Sequence, residues 1–175
     1  MKNQENQAQA SDKKLAATCG LFCEACTAYI ATTEEPARLT RLAAMFQLSE
    51  EAIRCFGCRS SKRGPYCQTC KMSACAAERG VDFCVECPDY PCDALKQFQA
   101  ETPHRAELWD DLAQIKADGW RKWLAQARDA YTCPECGAIN SAYDQVCRLC
   151  GQDPSCNFVR RHKQEIAEFC KRTGQ

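Results

Sequence analysis

Residues 133–151 read CPECGAINSAYDQVCRLCG, two Cys-x2-Cys knuckles separated by ten residues and each followed by a glycine. Joined by a short hairpin, such knuckles set Cys133, Cys136, Cys147 and Cys150 at the corners of a tetrahedron. Zinc takes this closed, all-thiolate geometry in structural sites. Gly137 and Gly151 permit the tight backbone turn around the metal. The competing reading, a thioredoxin-type redox pair, needs a surrounding sheet-and-helix pattern, and the flanking sequence carries none. The stretch therefore predicts a zinc ribbon over residues 131–152. It also sets the expected fold class, a small metal-stabilised α+β protein. A cysteine-rich zinc-knuckle domain, a helical segment, a short β-hairpin ribbon and a C-terminal helix make up that expectation.

Upstream lies a richer group: Cys19-x3-Cys23-x2-Cys26, Cys55-x2-Cys58, Cys67-x2-Cys70-x4-Cys75 and Cys84-x2-Cys87-x4-Cys92. The Cys-x2-Cys-x4-Cys pattern occurs twice, an internal repeat whose natural explanation is two similar metal knuckles. One quartet joins Cys55, Cys58, Cys67 and Cys70 across the loop CRSSKRGPYC. A second quartet pairs Cys23 and Cys26 with Cys84 and Cys87. With the ribbon, this makes about three Zn2+ per chain. The remaining thiols are expected to pack as small apolar groups. The triplet Cys19, Cys23 and Cys26 also has the spacing that holds the cluster of radical S-adenosylmethionine enzymes. Those enzymes place a large α/β barrel of ~200 residues or more behind it, and this chain lacks the length and the strands. An iron-sulfur cluster on the triplet, with a fourth thiol such as Cys92, is the alternative cofactor.

These elements carry a resemblance. Cys19-Gly-Leu-Phe-Cys23-Glu-Ala-Cys26-Thr-Ala-Tyr-Ile, Cys55-Phe-Gly-Cys58-Arg, Cys75-Ala and Cys84-Val-Glu-Cys87-Pro-Asp-Tyr-Pro-Cys92 resemble, in order, a cysteine-rich prokaryotic family, domain of unknown function 3795. The likeness covers roughly residues 19–100. It implies a small, intracellular, zinc-binding domain without a characterised activity.

The chain is organised as a polar, disordered tail (1–14), the cysteine-rich domain (15–100), a helical segment (101–130), the ribbon (131–152) and a C-terminal helix (153–175). Leu39, Leu42, Ala43 and Phe46 form one stripe of a helix over Pro36 to Leu48, preceded by a Thr32/Glu35 capping box. Thr102-Pro103 opens another helix with the stripe Leu108, Leu112 and Ile115. Gly119 interrupts it, and Trp120, Trp123, Leu124 and Ala127 follow as a second stripe. The aromatics read as core. His104 and His162 read as solvated or helix-capping groups.

Seventeen cysteines in 175 residues mark a cysteine scaffold. No apolar run follows the first basic residues and no stretch approaches a membrane span, so a cytoplasmic location with reduced, metal-binding thiols is expected. Metal rather than a large apolar core is expected to hold the chain together. Lys plus Arg equals Asp plus Glu at 23 each, so counterion release gives no drive towards bulk duplex DNA. The expected role is a zinc module that recognises an unknown protein or structured nucleic acid. Its local basic candidates are Arg59, Lys62, Arg63, Arg160, Arg161 and Lys163, whose ordinary reading is a solvated face with i,i+4 pairs such as Arg161/Glu165. The alternative is an iron-sulfur or thiol-based redox protein or enzyme, although no general base accompanies the cysteines and no catalytic residue is assigned.

Overall fold

Helices and short turns make up residues 12–173, the part of the chain that the computed structural model describes. Among them no β-strand forms. Two isolated antiparallel bridges, Ala16 with Phe22 and Thr132 with Ile139, are the nearest approach. The hairpin expected in the ribbon reduces to the second of these. Polar side chains claim the backbone donors that a ladder would need: Asp144 accepts the Ser141 N–H at 2.8 Å and Asn140 accepts the Arg148 N–H at 3.0 Å.

Helix α1 (Thr27–Thr33), α2 (Pro36–Phe46) and α3 (Glu50–Ile53) form one corner of the molecule. Ala31, Leu39, Leu42, Ala43 and Ile53 close a small core there. Pro36 opens α2 with φ already set for a helix. The expected capping box does not form, because Thr32 lies inside α1. Its hydroxyl donates to the Ala28 carbonyl at 2.7 Å and accepts the Cys55 N–H at 2.9 Å, tying a cysteine turn to the helix. Phe46, placed on the buried stripe by its spacing, is 58% exposed. The helix stops there, with Gln47 in the left-handed conformation.

The main core is larger than a metal-held chain would need. Leu15, Phe22, Met72, Phe83, Val85, Leu95 and Phe98 from the cysteine-rich region pack with α7 (Leu108–Asp118) and α8 (Trp120–Tyr131). Between α7 and α8 stands Gly119 at φ 83°. Leu108, Leu112, Ile115, Trp123, Leu124 and Ala127 are all buried, as their spacing requires. The approach is close: a Cβ at Gly20 would lie 2.9 Å from the Leu112 side chain. The expectation that metal replaces an apolar core is corrected by this cluster. The sequence hides it because its two halves lie on either side of the last central cysteine.

The short helices α4 (Pro65–Gln68), α5 (Lys71–Arg79) and α6 (Asp93–Ala100) carry or follow the central cysteines. The expected start at Thr102-Pro103 is a 3-10 turn, Pro103–Arg105, and Thr102 makes no cap. His104 in this turn is half-buried rather than solvated. Its Nδ1 meets the Tyr143 hydroxyl at 2.6 Å, and burial, with Arg105 beside it, pushes its pKa down to about 4. Helix α9 (Asn157–Thr173), broken at His162, buries Phe158, Val159 and Ile166 against Ala142 and Cys156. Arg161, expected to pair with Glu165, reaches Glu107 at 2.7 Å, and His162 meets Glu107 at 2.8 Å and Glu165 at 3.7 Å. Of the expected tail, residues 1–11 lie outside the described residues. Lys13, which is described, pairs with Asp82 at 2.6 Å. No described helix is long and apolar enough to cross a membrane.

Candidate metal centres

The ribbon starts where α8 ends. Its two knuckles repeat one hydrogen-bond pattern. Cys133 N–H donates to the Ala138 carbonyl and Cys147 N–H to that of Gln152, both at 2.8 Å. Gly137 N–H and Gly151 N–H return to the Cys133 and Cys147 carbonyls, both at 3.0 Å. The glycines sit at φ 75° and 81°, and a Cβ at either would meet nothing within 4 Å. Backbone conformation, not space, therefore calls for glycine here.

The fold brings the four thiols together. Cys133 Sγ lies 3.7 Å from Cys150 Sγ, and Cys136 Sγ lies 3.6 Å from Cys147 Sγ. All four atoms fall within 4.8 Å of one another. With Zn–S at ~2.3 Å, a tetrahedron has an edge of about 3.8 Å, so the donor set fits one tetrahedral ion. Burial opposes ionisation of Cys147. The Cys150 and Leu149 N–H groups, the Asn140 amide and the Cys133 thiol outweigh it and hold the pKa at about 6. Asn140 is fully buried and braces the site, its amide reaching Cys147 Sγ at 3.6 Å and the Ala138 carbonyl at 3.1 Å. Arg148 Nε donates to the Ile139 carbonyl at 2.8 Å, and the same guanidinium pairs with Glu34. Arg38 grips Asp144 through both nitrogens, at 3.1 and 2.9 Å. The ribbon is thereby fastened to α1 and α2. Asn140, Arg148 and Arg38 went unread in the sequence because nothing in local spacing marks them.

The upstream thiols fall into two gatherings. In the first, Cys58 N–H donates to Cys23 Sγ at 3.3 Å. The Cys23 thiol, aided by the Thr18 N–H and by Arg59 and Arg63, overcomes burial and holds Cys58 down at about 6. Cys67 is pushed up to about 12, first by burial and then by the charges of Cys26, Cys55, Cys58 and Cys70. Cys67 thus lies within electrostatic reach of Cys55, Cys58 and Cys70, the rest of the predicted quartet, and of Cys26, although no three of these thiols converge within 4.8 Å. In the second gathering Cys84 is pushed up to about 12 by burial and then by Cys92, Cys75, Cys87 and Cys70. Of the other predicted quartet, Cys23 and Cys26 interact with Cys58 and Cys55, and Cys84 and Cys87 line one cavity with Cys75 and Cys92. Cys19 is buried and feels Cys58, Cys84 and Cys70, between the two. Among the described residues, only at the ribbon do three or more metal-ligating side chains converge within 4.8 Å.

The knuckles at 23–26 and 84–87 share one local geometry, whereas the sequence repeat at 67–75 and 84–92 does not, since Cys75 lies inside α5 and Cys92 caps α6. Cys23–Ala25 and Cys84–Glu86 are 3-10 turns, closed by Cys26 N–H to the Cys23 carbonyl at 3.0 Å and Cys87 N–H to the Cys84 carbonyl at 3.1 Å. Cys26, Cys70 and Cys92 each stand at the N-cap of the helix that follows, α1, α5 and α6. Burial and then the charge of Cys55 raise the Cys26 pKa, against the Tyr29 and Ala28 N–H groups that favour its thiolate.

Residues 15–97 match the family described as protein of unknown function (DUF3795). All eleven upstream cysteines lie inside the DUF3795 region, and the ribbon lies outside it. No curated protein and no solved structure matches the chain. The expected family resemblance therefore holds for the N-terminal part, and the tetrathiolate cluster at 133–150 adds a candidate metal site beyond it.

Proposed function

We propose that the chain is a structural-zinc module for macromolecular recognition, with zinc held by Cys133, Cys136, Cys147 and Cys150 and further thiophilic metal held in the DUF3795 region. The carrying observation is the ribbon's thiol spacing of 3.6 and 3.7 Å, close to the edge of a zinc-thiolate tetrahedron. Four protein ligands leave no open position for water, so the ion would act structurally and not as a Lewis acid.

A protein partner is favoured over nucleic acid. Arg59 is engaged by the Asp82 and Ala16 carbonyls, Lys62 by Glu51, Arg63 by Ser73 and Lys163 by Asp153. Phosphate binding would have to compete with these contacts. Exposed Met45, Phe46 and Leu48 at the end of α2, with Phe56 and Tyr66, supply apolar surface of the kind that protein interfaces use.

The test is metal analysis of protein purified without oxygen. Wild type should contain zinc, and Cys136→Ser should lose about one equivalent. Retention of all zinc by that variant would refute the ribbon assignment. Iron with inorganic sulfide in place of zinc would move the protein to the redox reading.

A further inference from the structure

One cavity outside the ribbon is lined by four cysteines. It encloses about 130 Å³ between α5, the turn at Cys84–Glu86 and the start of α6. That is several times the ~30 Å³ share of one liquid water. Cys75 comes from the middle of α5, Cys84 and Cys87 from the turn, and Cys92 from the cap of α6. Met72, Ala76, Val81 and Leu95 supply apolar walls, and Lys71 and Arg79 add positive charge.

We propose that Cys75, Cys84, Cys87 and Cys92 form a second four-thiolate centre for a thiophilic metal. This deepens the metal-binding reading above, and it pairs Cys84 and Cys87 with Cys75 and Cys92 instead of with Cys23 and Cys26. Three observations support it, the first being the shared cavity. Four separate structural thiols would pack as apolar groups and leave no common space, whereas these surround one. The electrostatics have the sense of an anionic centre: Arg79 donates to Cys87 Sγ at 3.4 Å while pairing with Asp89 at 2.6 Å. Four thiolates around a divalent ion keep two negative charges, which Arg79 and Lys71 offset. The turn is also fixed from outside, because Cys84 N–H donates to the Thr18 carbonyl at 2.9 Å and Glu86 accepts the Asp82 and Phe83 N–H groups at 2.9 and 3.2 Å. The thiols stand farther apart than those of the ribbon. Cysteine thiolates ligate zinc and iron-sulfur clusters alike. Thiolate ligation is the chemistry common to both.

Binding releases the thiol protons and requires no electron transfer. The test compares wild type, the double variant Cys84→Ser/Cys92→Ser and Cys136→Ser, all prepared without oxygen, by zinc, iron and sulfide content per chain. The double variant should lose one centre, read as one zinc or as iron with sulfide, and keep the ribbon zinc. Cys136→Ser should show the reverse. Retention of every metal by the double variant would overturn the centre. Failure of Cys136→Ser alone would sink the ribbon assignment and leave this one standing. A second measurement on wild type avoids any folding defect of the variants. Cys75, which is exposed, should resist iodoacetamide in metal-replete protein and react after chelation. Immediate alkylation of Cys75 in metal-replete protein would overturn the proposal.

Discussion

The ribbon and residues 15–97, which match the DUF3795 model, are both built on Cys-x2-Cys knuckles, but they hold their thiols by different means. In the ribbon, all four thiols lie within 18 residues of chain, and two identical backbone turns aim them at one point. Its own apolar core is Cys133, Ala138 and Cys147, too little to fold alone. In the DUF3795 region the thiols come from turns and helix caps far apart in sequence, and an apolar core reaching to Ala127 sets their positions. Local turns can pre-form a metal site, whereas thiols gathered by tertiary packing stay more open and depend on the surrounding core.

Metal removal should separate the two most sharply. Structural zinc in small peptides contributes about 10–16 kcal/mol of folding free energy, and the ribbon has nothing else of that size. After chelation, hydrogen exchange should lose protection at Gly137 and Gly151 while the amides around Leu112 and Trp123 keep most of theirs. Equal loss in both regions would break the contrast.

The converse experiment truncates the core. Leu112 is fully buried against Gly20, so Leu112→Ala should cost ~2–5 kcal/mol in denaturant unfolding. Ribbon zinc should be unchanged. Loss of that zinc would mean that the ribbon needs the large core to form its site.

Much of this was legible in the sequence. The convergence of Cys133, Cys136, Cys147 and Cys150 and the stripes of α7 and α8 follow from spacing and local turn chemistry, which one chain segment contains entirely. The gathering of Cys75, Cys84, Cys87 and Cys92 around one cavity was not, because several knuckles of equal spacing can be combined in many ways and only packing chooses. His104 read as solvated because its neighbours in sequence are charged, but Tyr143, far along the chain, covers it. The hairpin failed where Asn140 and Asp144 took the backbone donors.

A pH series sharpens the same comparison. Asp111 in α7 is buried, which pushes its carboxyl up to about 7 despite the hydrogen bond from Trp123 Nε1 at 2.7 Å. A raised acid favours the folded state below its unfolded pKa of 3.8, and that advantage is lost as pH rises to about 7. Asp111→Asn should remove the decline, gaining on the order of 2–4 kcal/mol over wild type at neutral pH. Identical pH profiles for the two proteins would contradict the assignment. His104 acts on the acid side. Its folded pKa of about 4 withdraws stability as pH falls from 6.5.

The smallest effect belongs to the knuckle glycines. Gly151→Ala places a Cβ in open space at φ 81°, so only backbone strain opposes it, about 1–2 kcal/mol. Zinc affinity should weaken by roughly tenfold with full occupancy retained at excess zinc. Gly57→Ala provides the contrast, because its Cβ would meet the Lys14 carbonyl at 2.5 Å and should destabilise the DUF3795 region itself.

The central claim, that the ribbon is a pre-formed tetrathiolate zinc site, is tested most directly by anomalous scattering at the zinc edge from crystals of the purified protein. The account predicts a single peak about 2.3 Å from each of the Cys133, Cys136, Cys147 and Cys150 sulfurs. A disulfide between any two of these cysteines in oxygen-free protein, or no peak among them in zinc-replete crystals, would contradict it.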